Sequence, residues 1–121
     1  MSAIPTAEDV LDRSYEVLTL PEVAQSVGQP VTRVQQMVRD GHLVAFRRDG
    51  VMCVPALFLN GEGVVKGLPG TLTVLRDAGF SSEEMLRWLF TVDDTLPGSP
   101  IEALRTNRGR EVKRRAQALA F

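Results

Sequence analysis

Between Thr19 and Pro55 the apolar positions recur first at helical spacing and then in β-prone runs. Leu20, Val23, Ala24 and Val27 share one face of a first helix. Thr19 stands three residues before Glu22, the spacing of a capping box, and marks its start. Gly28, which accepts a left-handed backbone without strain, marks its end. Pro30 suits the entry to a second helix, where a missing N–H costs little. That second helix is expected over about Val31 to Asp40. Advancing 100° per residue puts Val31, Val34 and Val38 on one side, with Met37 at its edge. Thr32, Gln36 and Arg39 fall opposite, flanked by Arg33 and Gln35. Gly41 closes the helix. Leu43 to Arg48 and Val51 to Pro55 then read as two strands joined by Asp49-Gly50, a two-residue loop that signals a hairpin because both positions need positive φ.

The remainder reads as helical. NGEGVVKGLPG is a turn-rich connector with a short extended piece at Val64-Val65. Its four glycines lack the lysine-serine end of a phosphate loop. Leu72, Val74 and Leu75 mark a short buried helix ending at Gly79. Ser81 and Glu84 form a second capping box, before a helix whose broad apolar face holds Met85, Leu86, Trp88 and Leu89. Pro97, Gly98 and Pro100 make a turn, and IEALRT begins another short helix. A last helix, about Arg110 to Leu119, buries Val112, Ala116 and Leu119. Arg110, Lys113 and Arg114 lie on its outer side, and Glu111 to Arg115 has the favourable i, i+4 order for an ion pair. Residues 1–16, rich in acids, read as a flexible arm.

The predicted class is therefore mainly α with a small β-hairpin: an arm over 1–16, a winged helix-turn-helix over 17–58 and a helical C-terminal domain over 59–121. In such a unit the second helix usually enters a DNA groove. Hydroxyl, amide and guanidinium groups can read base edges, which makes Thr32, Gln35, Gln36 and Arg39 the candidate base readers. Arg33, Arg47 and Arg48 are the candidate phosphate contacts. Strand alternation sends Arg47 and Arg48 to opposite faces, so one of the two is expected to make the close contact.

VAQSVGQPVTRVQQMVRDGHLVAFRRDG resembles the MerR-like and excisionase-like winged-helix proteins, with Asp40-Gly41 at the helix end and Arg47-Arg48 at the wing. The longer run through VVKGLPGTLTVLRDAGFSSEEMLRWLFT to EVKRRAQALAF resembles a small actinobacterial family of DNA-binding regulators, which couples a winged unit to a helical C-terminal domain. MerR proteins proper carry a long dimerisation coiled coil and an effector domain that this chain lacks, so metal or drug sensing does not carry over. WLFTVDDTLPGSPIEALRTNRGREV also resembles the toxin-binding domain of some helix-turn-helix antitoxins. That likeness implies a partner-binding role as the alternative function.

Composition adjusts this picture. The chain has 121 residues, 44% of them hydrophobic, which suffices for a core. Its net charge of −1 is unusual for a nucleic-acid binder. The distribution softens that objection: Glu8, Asp9, Asp12 and Glu16 gather before the winged unit, whereas six basic residues and one Glu lie between Arg105 and Arg115. The outer side of the last helix, with Arg110, Lys113 and Arg114, suits solvation, a secondary phosphate contact or a partner surface. One cysteine, Cys53, excludes an internal disulfide and reads as a small core hydrophobe. One histidine, His42, and no carboxylate cluster leave no usual zinc site. No nucleophile elbow or catalytic carboxylate pair is present. The expectation is a non-enzymatic transcriptional regulator of the cytoplasm. It would bind double-stranded DNA, without cofactor, metal or membrane, and meet a second copy or a protein partner through its C-terminal domain.

Overall fold

The computed structural model describes residues 4–119. The elements run β1 (Val17–Thr19), α1 (Leu20–Val27), α2 (Val31–Arg39), β2 (Phe46–Arg48), β3 (Val51–Pro55), a 3-10 turn (Ala56–Phe58), α3 (Leu68–Asp77), α4 (Ser82–Phe90), α5 (Pro100–Arg105) and α6 (Gly109–Ala118). Among the described residues, six helices and one three-stranded sheet make a winged helix-turn-helix followed by a helical C-terminal half, as the sequence pattern predicts. The sheet is antiparallel, in the order β1-β3-β2.

Local chemistry accounts for the helix starts. Thr19 accepts from the Glu22 N–H while the Glu22 carboxylate accepts from the Thr19 N–H. Ser81 and Glu84 repeat this at α4. A third box, Ser99 with Glu102, opens α5. Each satisfies donors that a helix start otherwise leaves unpaired. Gly28 ends α1 at φ 67°, and the wing turns through Asp49 and Gly50 at φ 52° and 80°. These positive angles are what a two-residue hairpin loop requires.

Four expectations need correction. The segment read as an arm is docked from residue 4 onward. Ala7 and Leu11 are buried, the Ala7 N–H donates to the Ala45 carbonyl, and the Glu8 N–H donates to the Glu83 carboxylate. Two apolar side chains and satisfied backbone donors outweigh the local excess of acid. The first wing strand begins at Phe46, because residues 43–45 dive into the core before the ladder starts. Val31 is 36% exposed at the first turn of α2, and Leu119 is 42% exposed past the end of α6, where neither meets a packing partner layer.

The two halves share one core. Phe58, fully buried in the 3-10 turn, lies with its ring 6.0 Å from that of Phe90 in α4. Phe90 also meets the Tyr15 ring edge-on at 4.9 Å. Arg105, at the end of α5, donates to the carbonyls of Leu57 and Leu59. Gly67, just before α3, lies close to both α5 and α6: a Cβ there would stand 3.2 Å from the Leu104 side chain and 3.7 Å from the Gly109 backbone. The winged unit is thus seated on the helical half by apolar packing and by charge-assisted bonds to backbone.

This coupling predicts cooperative unfolding. Phe58→Ala should cost about 3–5 kcal/mol, the usual range for emptying a buried aromatic site. Trp88 fluorescence, which reports the helical half, and far-ultraviolet circular dichroism should give one coincident urea transition shifted to lower denaturant. Two separated transitions in the wild-type chain would show instead that the halves fold apart.

Candidate nucleic-acid interface

The outward side of α2 forms the centre of the site. Val34 and Val38 are buried and fix the rotation of the helix. Thr32, Arg33 and Gln36 are thereby exposed, Gln35 is half-buried, and Arg39 is half-buried at the last turn. The Gln36 side-chain amide donates to the Asp40 carboxylate at 2.8 Å. One donor of Gln36 is therefore committed, and an acid sits beside the potential readers. Arg33 has neither a carboxylate partner nor a side-chain hydrogen bond among the described residues.

The wing divides its two arginines as strand alternation requires. Arg47 is exposed, with a long 3.4 Å bond to the Gly50 carbonyl. Arg48 points the other way, its side chain 9% exposed. Its Nε and one terminal nitrogen donate to the two oxygens of Asp9 at 2.7 and 3.1 Å. The other terminal nitrogen donates to the Tyr15 carbonyl, the nitrogen shared with Asp9 also reaches the carbonyls of Leu11 and Asp12, and the guanidinium lies 5.5 Å from the Phe46 ring centroid. Arg48, expected as a phosphate contact, is instead a buried tie. A nearly dry guanidinium keeps its charge only where acceptors surround it, and here the N-terminal segment supplies them. The bidentate hydrogen bond to Arg48 is the main reason that the Asp9 carboxyl titrates below its ordinary range, with partial burial opposing it.

Sequence reasoning missed Arg13. It pairs with Asp49 at the wing tip at 2.6 Å, with side chains 68% and 72% exposed. Such an exposed pair contributes little to stability and opens readily to a competing anion. No signal in the sequence placed residue 13 there, because the segment was read as loose. Cys53 packs under the hairpin, and burial raises its thiol pKa.

The last helix, α6, carries a second basic face. Arg110, Lys113 and Arg114 are exposed. Arg110 and Lys113 border a groove of about 620 Å³ with Lys66 and Arg108, and Arg114 lies outside it. The anticipated Glu111–Arg115 pair forms at 3.2 Å, and Arg108 also approaches Glu111 at 3.4 Å. Among the described residues, no group of His, Cys, Asp and Glu is arranged to hold a metal. No described helix is long and apolar enough to cross a membrane.

Comparison with known proteins matches residues 3–59 to the family model described as "DNA-binding protein Rv2175c, wHTH domain". Residues 65–120 match "Rv2175c C-terminal domain of unknown function". A curated relative, DNA-binding protein Rv2175c of Mycobacterium tuberculosis, is 45% identical over 134 aligned residues, covering 100% of this chain and 92% of the relative. The NMR structure of Rv2175c aligns with a TM-score of 0.87 at 44% identity, over 99% of this chain and 91% of that one.

The Arg48–Asp9 tie makes a pH-dependent prediction. A carboxyl with a depressed folded pKa contributes stability that is complete above its unfolded value, near 3.8, and is lost as pH falls through the folded value. Asp9→Asn should cost on the order of 3 kcal/mol at pH 7, as a mostly buried pair broken on one side does. The gap between wild type and variant should narrow only below about pH 4. Urea midpoints from pH 7 to pH 3 measure this, and a gap that is constant with pH would show that Asp9 is not an ionised partner in the folded chain.

Proposed function

This chain belongs to the Rv2175c family, and we propose that it binds double-stranded DNA as a transcriptional regulator of the cytoplasm. α2 would lie in the major groove and the wing along the backbone, the docking mode of helix-turn-helix and MerR- or excisionase-like proteins. The observation that carries this reading is the outward row of Thr32, Arg33 and Gln36 on a helix whose rotation Val34 and Val38 fix, together with the exposed Arg47 of the wing. Thr32, Gln35 and Gln36 can reach base edges. Arg33 and Arg47 can meet phosphates, and Arg13 can join them when its surface pair with Asp49 opens. Arg48 takes no part. The reading assigns the chain no chemical step, cofactor or metal.

The wing provides the test. Arg47→Ala should weaken binding to cognate and scrambled duplexes alike and reduce the slope of log affinity against log salt by about 0.9, the share of one neutralised phosphate. Arg48→Ala should lower thermal stability and leave the slope of the folded fraction unchanged. Fluorescence anisotropy over a salt series measures both. An Arg47 variant with the wild-type slope would place the hairpin tip away from DNA, and a wild-type chain that binds no duplex would overturn the reading. Gln36→Ala should reduce discrimination between cognate and scrambled duplex by about 1–3 kcal/mol if its amide reads a base.

A further inference from the structure

The last turn of α2 holds a donor that the protein leaves unused. Arg39 Nε is buried and has no hydrogen-bond partner among the described residues. An enclosed N–H without an acceptor is costly, and native structures seldom keep one without a water, ion or functional reason. Arg39 borders a pocket of about 170 Å³ whose other walls include Gly41, Ser82 and Arg76. Arg76 comes from the end of α3, in the C-terminal half. Its guanidinium rests against Gly41 so closely that a Cβ there would fall 2.4 Å from a terminal nitrogen. It also donates a long 3.4 Å bond to the Gly41 carbonyl. Neither arginine has a carboxylate partner among the described residues. Asp40 also borders the pocket, and its carboxylate already accepts from Gln36 at 2.8 Å. Arg39, Arg76 and Ser82 therefore line one small concavity, at the end of the helix that presents Thr32 and Gln36.

We propose that this pocket seats one phosphate of the DNA backbone, gripped by Arg39 from the winged unit and Arg76 from the C-terminal half. The inference rests on the DNA-binding reading above and deepens it. It moves Arg39 from base reader to phosphate ligand, and it gives the C-terminal half a direct contact with DNA. Planar guanidinium forks suit phosphate oxygens, and neither of these two forks has a carboxylate of its own to satisfy it. Gly41 belongs to the device, because a side chain there would displace Arg76.

The experiment combines a salt series with NMR on the full chain. Arg39→Gln and Arg76→Gln should each weaken binding to cognate and scrambled duplexes roughly tenfold, the loss of a charge-assisted hydrogen bond. The double variant should lose about 0.9 of the salt slope and no more, because both arginines serve one phosphate. Arg76→Lys should keep most of the slope, which separates charge from a role in shaping the Gly41 turn; thermal unfolding run alongside identifies a variant that merely loosens that turn. The Arg39 Nε–H resonance should shift to saturation with duplex and only weakly with inorganic phosphate. Saturation by sub-millimolar inorganic phosphate, with no competition from duplex, would overturn DNA as the source. Unchanged affinity and slope in Arg76→Gln, while the wild type binds duplex, would overturn this inference alone. A wild-type chain that binds no duplex would take the functional reading with it.

Discussion

The burial of one guanidinium organises the winged half. Arg48 sits on the inner face of the wing, and a cation so far from water needs an acceptor for nearly every N–H. Asp9 supplies two, and the carbonyls of Leu11, Asp12 and Tyr15 supply the rest. Those acceptors come from a segment with no helix and little sheet of its own, so the requirement of Arg48 dictates its course. That course carries Ala7 and Leu11 into the core and brings Arg13 to the wing tip. It also sets Tyr15 edge-on against Phe90 of the helical half. Removing either member of the pair would leave a buried charge unmatched, which is worse than removing both.

The same constraint marks where the sequence was legible. Helices with repeating apolar positions and S/T-x-x-E starts were readable because period and cap are local signals. The hairpin was readable because Asp-Gly permits the backbone that a two-residue turn needs. β1 was not, since three residues are too few to show alternation, and it exists only because Val17–Thr19 pairs with β3. The N-terminal segment was misread for a related reason. Its four acids suggest solvation, and only the tertiary position of Arg48 turns one of them into a core ligand. At the site, helical geometry predicted which residues of α2 face outward. The Gln36–Asp40 bond has the local i, i+4 spacing and was open to the same reasoning; that Arg39 borders a pocket walled by Arg76 was not, because that contact depends on how α3 meets the end of α2.

The helical half does more than extend the chain. A winged unit of this size exposes much of its own apolar surface, and here α4 meets part of it through Phe90, which packs on Phe58 and Tyr15. Phe58 and the Arg105 bonds to the Leu57 and Leu59 carbonyls hold the base of the wing against that platform. The spatial relation between α2 and the wing, which any groove-reading function needs, is therefore set partly by residues outside the winged unit. Substitutions deep in α4 or α5 would be felt at the candidate interface through this packing and without touching a ligand.

Charge distribution then limits what the interface can do. With Arg48 consumed internally, the exposed cations around α2 and the wing reduce to Arg33, Arg47 and the loosely paired Arg13, with Arg39 and Arg76 at the pocket. Asp40 and Asp49 stand among them. Few phosphates can be neutralised at once, and the nearby acids lower the attraction for a polyanion at long range. A single helix reaches only a few base pairs, and Gln36 has one donor already engaged. Under the DNA-binding reading, affinity of one copy would be modest and steeply salt-dependent. Site selection would then depend on contacts that form only when α2, the wing and the Arg76 pocket register together on one stretch of backbone. Rigid seating of the winged unit on the helical half fixes those three points relative to one another. A duplex of the wrong shape would satisfy fewer of them, so on that reading a nearly neutral protein would gain selectivity from geometry that its net charge alone does not provide.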